Sequence, residues 1–448
     1  MSMRRRQTTA MRAVLGFLPI LGLLPATAAA NPINILFVGN SFTHGRYEPV
    51  RTYNGGFAAG DVRDLLCPSP ASCSSAEQGT QINPGVTPPP GSTLLQQLDY
   101  LEANPSAQYN EPGPYGGVPG IFLQFTREAG LDYSVSVVAV SSATLTGYLN
   151  NTGSEAGDLP LIESSAWNKV VLQDQSFRPL PSTITVNGHS VATRGDPAGF
   201  ESAVTGLING IEAADKAAGK PNAAVTLYET QPLASYGYTS SNPNAPIFGS
   251  STSLPGGLNA PYVGDANPIA AMASDLHNAY EKAASDYMAS NPTGSSVNVA
   301  LAGDAWVSAI DAGIAVQDPY LATNPPNEVD LWDSNALDAC CTTPIGYHPS
   351  VYGAYLSALV LFDEITGVSP QSLLPEFDPN NPGYDDSAAY ELGISPEIAR
   401  ELAMIAGETV RVGHPIPEPG SLVLLSGIVG IFVARKRPRR RSAGPRQS

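Results

Sequence analysis

The chain has 448 residues, 42% of them hydrophobic and 14% charged, which is enough apolar material for one large domain or two. Its formal charge is −17, yet 11 of its 23 basic residues lie in residues 1–30 and 415–448, where Glu418 is the only acid. The stretch between them holds 12 basic and 39 acidic residues, a formal −27, which repels nucleic acid and anionic headgroups and excludes a nucleic-acid partner.

Residues 1–30 read as a signal peptide: Arg4, Arg5, Arg6 and Arg12 precede the apolar run "AVLGFLPILGLLP", and "ATAAA" supplies the small residues of a cleavage site. The mature chain is therefore expected to be exported. Apolar, β-branched runs follow at Ile33–Val38, Tyr133–Val140, Lys169–Gln173, Ala224–Tyr228 and Val297–Ala302. They are strand-length and nearly continuous, the pattern of parallel strands buried on both faces. Helical patterns lie between them, in "GIFLQFTREAG", "FESAVTGLINGIEAADKAAG" and "NPIAAMASDLHNAYEKAASDYMAS", and a fourth begins after His348. The alternation predicts a three-layer α/β/α domain over residues 32–370, built on a five-stranded, mainly parallel sheet. Three segments rich in Gly, Pro, Ser and Asn (46–116, 179–198 and 231–262) read as long loops at the ligand-binding edge of that sheet. Residues 371–414 read as a helical appendix and linker.

Four cysteines, Cys67, Cys73, Cys340 and Cys341, are expected to be disulfide-bonded in an oxidising compartment, with the connectivity open. No four Cys or His residues fall at zinc-finger spacing, so the sequence implies neither a metal site nor a cofactor.

The run "NILFVGNSFTHG" (34–45) stops at a small polar turn that presents Ser41. A serine there is either the N-cap of the next helix or a nucleophile at a strand end. "ILFVGNSFT" resembles the first block of the SGNH (GDSL-like) hydrolases, in the branch where Asn replaces the Asp of the GDS signature. The resemblance implies a flavodoxin-like sheet and makes Ser41 the nucleophile, which needs a base to take its proton. The family's base lies just ahead of its last helix, and "YHPSVYGAYLSALVLFDEITG" places His348 there. Of the other histidines, His189 sits in a loop, His277 on an amphipathic helix, His414 in the linker, and His44 reads as a rim residue.

The family pattern D-x-x-H is broken here, since Ile345 stands three residues before His348. Asp333 is the favoured orienter, with "ALDACCTTPIG" as an insertion, and Asp338 is the alternative; without either, the site is a Ser–His dyad. The resemblance places oxyanion donors at the Ser41 N–H, at the Ser141-Ser142 turn (Ser142 standing where glycine is usual) and at Gln175, on the family's Asn position. Glu229 and Asp304 are strand-end acids that suggest substrate contact or helix capping.

The C-terminus reads Pro417-Glu418-Pro419, an apolar stretch from Ser421 to Ala434, then a run of Arg and Lys. Residues 415–441 resemble a PEP-CTERM sorting signal. That implies a Gram-negative host, transient membrane insertion, processing by an exosortase, and a location in the periplasm, at the cell surface or outside the cell. Together the two resemblances lead to an exported serine esterase acting on O-acetyl groups of an exopolysaccharide. The rivals are a lipase or thioesterase of the same fold and a catalytically silent exopolysaccharide-binding protein.

Overall fold

The computed structural model describes residues 31–70, 113–238, 261–320, 327–333, 348–377, 380 and 384–413. The signal segment, the sorting tail, Asp338 and three of the four cysteines lie outside these residues, so the readings placed on them do too. Cys67 is buried. Among the described residues no helix is long and apolar enough to cross a membrane.

The strands in chain order are β1 (Ile33–Gly39), β2 (Arg63–Asp64), β3 (Tyr133–Ala139), β4 (Lys169–Leu172), β5 (Thr183–Val186), β6 (His189–Ala192), β7 (Ala224–Tyr228) and β8 (Val297–Ala300). Six of them form one sheet in the order β2-β3-β1-β4-β7-β8, and every pairing in it is parallel. All five expected strands are present, and without β2 their order is the flavodoxin-like 2-1-3-4-5. The sixth, β2, corrects the expected count. Its two residues pair with Ser136 and Val137 inside a Gly-rich loop, too short to leave a periodic signal.

A second correction concerns residues 179–198, which contain the antiparallel hairpin β5–β6 rather than loop alone. Asn187 and Gly188 at its tip both have positive φ, 51° and 78°. Two such residues in a two-residue connection suit the primed turns that match strand twist. The "NG" flanked by β-branched residues was a legible signal for it.

Alternation along β1 divides the core. Ile35 and Phe37 face one layer, containing α2 (Gly117–Glu128), α6 (Ala302–Asp311), α7 (Val351–Thr366) and α8 (Pro396–Gly413). Leu36 and Val38 face the other, with α4 (Pro197–Ala217) and α5 (Pro268–Ser290). Two short helices, α1 (Ser41–His44) and α3 (Leu145–Asn150), follow β1 and β3.

Helix α7 is apolar around most of its circumference because it is enclosed: Ala354 through Phe362 are all buried, as expected of a helix with neighbours on several sides. Ala399, Leu402, Ala403 and Ala406 of α8 join the same cluster. Gly353 admits the close approach, since a Cβ there would meet the Leu331 carbonyl oxygen at 2.3 Å and the Trp306 ring at 2.4 Å. Leu359→Ala in this fully buried helix should lower unfolding free energy by about 2–5 kcal/mol, read by urea denaturation; a change below roughly 0.5 kcal/mol would show that α7 is not a core element.

Candidate active site

Strand β1 ends at Gly39, and the chain turns at Asn40 into the single turn of α1. A first helical turn leaves backbone N–H groups needing acceptors. Asn40 supplies them: its backbone carbonyl accepts from Thr43 N at 2.9 Å and His44 N at 3.0 Å, and its Oδ1 accepts from Phe42 N at 3.1 Å. The cap is therefore Asn40, and Ser41 is not the capping residue. The Ser41 hydroxyl instead lies 2.8 Å from His348 Nε2, with both residues buried.

Gln173, at the end of β4, holds this turn from below. Its Oε1 accepts from Asn40 N at 3.0 Å and from Thr43 Oγ1 at 2.8 Å, and its Nε2 donates to the Asp174 carbonyl. Gly39 makes room for it; a Cβ there would meet Thr43 Oγ1 at 2.2 Å and Gln173 Oε1 at 2.4 Å. Asn40 Nδ2 donates to the Ala143 carbonyl at 2.9 Å, tying the Ser41 turn to the segment after β3. The site thus occupies the carboxyl edge of β1, β3 and β4, at the topological switch point where such sheets open a crevice.

His348 reaches Ser41 across 307 positions of sequence by backbone pairing. Trp332 and Pro349 form an antiparallel bridge, Asp333 N donates to the His348 carbonyl at 2.9 Å, and Ser350 N donates to the Leu331 carbonyl at 2.8 Å. Ser350 then caps α7, accepting from Tyr352 N at 3.1 Å and Gly353 N at 3.3 Å. The imidazole stacks on Phe42 (centroids 5.2 Å apart) and meets the Tyr47 ring edge-on at 5.8 Å. Asp333 is therefore the backbone neighbour of His348 across this bridge.

Burial pushes the His348 pKa well below the ordinary histidine value, and the charge of Arg46 and the neighbouring His44 push the same way. A neutral imidazole is the form that accepts a proton. Desolvation is the largest of these causes, because a charged ring loses its hydration among the surrounding side chains.

His44 is not a rim residue, which corrects the expectation: it is fully buried. It stacks on Tyr115 with centroids 4.0 Å apart and planes 9° from parallel, and burial lowers its pKa to about 3. Nδ1 lies 3.1 Å from the Gly45 carbonyl oxygen and Nε2 3.2 Å from Ser141 Oγ. A carbonyl only accepts, so Nδ1 carries the proton and Nε2 accepts from the serine hydroxyl.

Ser142 has φ of 65°, a left-handed conformation that glycine adopts freely and serine at a cost. Gln175 follows β4 half-buried, its backbone N–H donating to Asp174 Oδ1 at 2.7 Å. Asp174 also accepts from Leu145 N at 3.0 Å, and burial raises its pKa to about 6. Motif reading assigned no role to Gln173, gave Asn40 none beyond its place in the block, and placed His44 at the rim. The strand ending at Gln173 was expected, but its pairing beside the Asn40 turn has no local signal.

Away from this corner, Glu229 caps α6, its Oε2 accepting from Gly303 N at 3.1 Å and Asp304 N at 3.4 Å. Asp304 Oδ2 lies 2.8 Å from His277 Nδ1. Neither acid is among the residues that meet Ser41.

No family model matches the chain, and no curated protein matches it. Among solved structures, it is similar to a protein from Slackia heliotrinireducens described as a candidate SGNH hydrolase, at 16% identity and a TM-score of 0.36, over 75% of this chain and all of that one. It is also similar to a DUF4886 family protein from Bacteroides uniformis, at 12% identity and a TM-score of 0.41, over 84% of this chain and 94% of that one. Superposition this loose leaves the reading of the site to its own geometry.

Because His348 must be neutral to accept the Ser41 proton and its pKa is depressed, hydrolysis of an activated ester should hold its plateau below pH 6.5 and fall only at more acid pH. A kcat/KM profile that instead rises through an apparent pKa above 7 would contradict the assignment.

Proposed function

We propose that the chain is an exported serine esterase that removes O-acyl groups, acetyl foremost, from a carbohydrate. The observation that carries this reading is the 2.8 Å contact between Ser41 Oγ and His348 Nε2 in a buried, ring-lined corner. Ser41 Oγ attacks the ester carbonyl carbon as its proton passes to Nε2. The oxyanion is met by the Ser41 N–H, a backbone N–H of the Ser142 turn and the Gln175 amide, each such donor typically worth about 3 kcal/mol. The Asp333 carboxylate steadies the imidazolium. Collapse expels the sugar alcohol, which takes the proton from Nε2, and water then attacks the acyl-serine with His348 again as base.

Support for carbohydrate comes from the tail, Pro417-Glu418-Pro419 with its apolar and basic continuation, whose resemblance to a sorting signal links the chain to an exosortase and to exopolysaccharide. The Gly-, Pro- and Asn-rich loops with scattered Tyr suit sugars better than the apolar lid of a lipase.

Ser41→Ala should lower kcat on p-nitrophenyl acetate by roughly 10³–10⁶-fold with an unchanged melting temperature, and a fluorophosphonate should label Ser41. Labelling that persists unchanged in Ser41→Ala would sink the assignment, and a wild-type chain without turnover would mark a binding protein. Asp333→Asn should cost on the order of 10²–10⁴-fold and shift the acid limb further down, because the imidazolium loses its counter-charge; Asp338→Asn should do much less. The reverse pattern would transfer the role to Asp338, and no effect from either would mean a dyad.

A further inference from the structure

A second constellation lies at the same edge of the sheet, on the far pair of strands. Glu229 follows β7, Asp304 begins α6 just after β8, and His277 projects from the middle of α5. Donor atoms of these three side chains all lie within 4.8 Å of one another. The cluster is one imidazole and two carboxylates, brought together from three elements.

Helix capping accounts for half of Glu229 only. Oε2 takes the two α6 N–H groups, whereas Oε1 is buried and has no hydrogen-bond partner among the described residues. The residue is fully buried, and leaving that oxygen unmatched costs roughly 1–3 kcal/mol, or more for a charge. His277 and Asp304 are about one-third exposed, with side-chain exposures of 36% and 32%, which opens the cluster to solution on one side.

We propose that Glu229, His277 and Asp304 form a binding site for one divalent transition-metal cation, zinc foremost, completed by water. One nitrogen and two carboxylate oxygens suit a borderline ion over calcium or magnesium, which prefer all-oxygen sets. Metal–ligand bonds of about 2.0–2.2 Å place donors on a shared ion within roughly 3–4.4 Å of one another, so the three side chains shift on binding, the 2.8 Å His277 Nδ1–Asp304 Oδ2 contact included. The ion supplies the partner that Glu229 Oε1 lacks.

The ion also braces a corner that reaches the proposed active site. Trp306, two residues past Asp304, packs edge-on against Trp332 with centroids 5.2 Å apart. Trp332 Nε1 donates at 2.9 Å to the carbonyl of Pro232, three residues past Glu229. Trp332 in turn precedes Asp333, whose N–H holds the His348 carbonyl. Both arms of the metal site therefore converge on the bridge that positions His348, while the site's existence does not depend on what that histidine does.

The untagged full chain, stripped with EDTA and dialysed, tests this by titration calorimetry and thermal melting with zinc chloride. The expected result is one equivalent of zinc bound and a rise in Tm of roughly 5 °C at a hundredfold excess over Kd. His277→Ala and Asp304→Asn, both at partly exposed positions, should melt like the wild type in EDTA and lose the zinc-dependent rise. Absence of saturable binding, or a rise retained in both variants, overturns the site. An equal rise with calcium or magnesium at the same concentrations overturns the assignment to a transition metal.

Discussion

The site depends on a division of labour between two adjacent residues. Asn40 satisfies the first turn of α1 with its side-chain oxygen and backbone carbonyl, and that frees the Ser41 hydroxyl for His348. Had serine been the cap, its oxygen would have been occupied by a backbone N–H. Gln173 enforces the arrangement from the neighbouring strand, and Gly39 leaves space for it. Packing this tight makes the Ser41 turn rigid because the Asn40 and Thr43 side chains have fixed partners at low dielectric.

The opposite half of the site is held by different means. His348 belongs to no regular element; it sits between a two-stranded bridge to residues 331–333 and the capped start of α7. The helix that follows is buried almost throughout and cannot slide without opening the core. A ring placed at its mouth therefore inherits the positional certainty of the core. Trp332 and Trp306 extend that certainty towards β7 and β8.

Electrostatics at this edge runs against the overall charge of the chain. The stretch between the two ends is strongly acidic, but His348 beside Ser41 feels the largely buried Arg46 and a second histidine, His44. Desolvation keeps both rings neutral, and the nearby guanidinium adds to the effect. One neutral ring faces the Ser41 hydroxyl, and the other bridges Gly45 and Ser141 as a strut. The same imidazole chemistry serves two purposes because the hydrogen-bond partners differ.

Much of the architecture was legible in the chain alone. The five apolar runs became the five long strands, since continuous β-branched segments have nowhere to go but a doubly covered sheet, and "GNS" at a strand end with "HPS" before a helix marked Ser41 and His348. Tertiary structure decided what depended on partners distant in sequence. Ser41 could have capped α1, but the folded chain gives that role to Asn40 and brings the Ser41 hydroxyl against His348 from 307 positions away. His44 looked like a rim residue because its burial is produced by Tyr115 and the Ser141 turn, neither of them near it in sequence. Glu229, His277 and Asp304 carried no spacing signal at all. A sequence records each residue's local options; which option is taken is set by contacts that exist only once the sheet has brought its strand ends together.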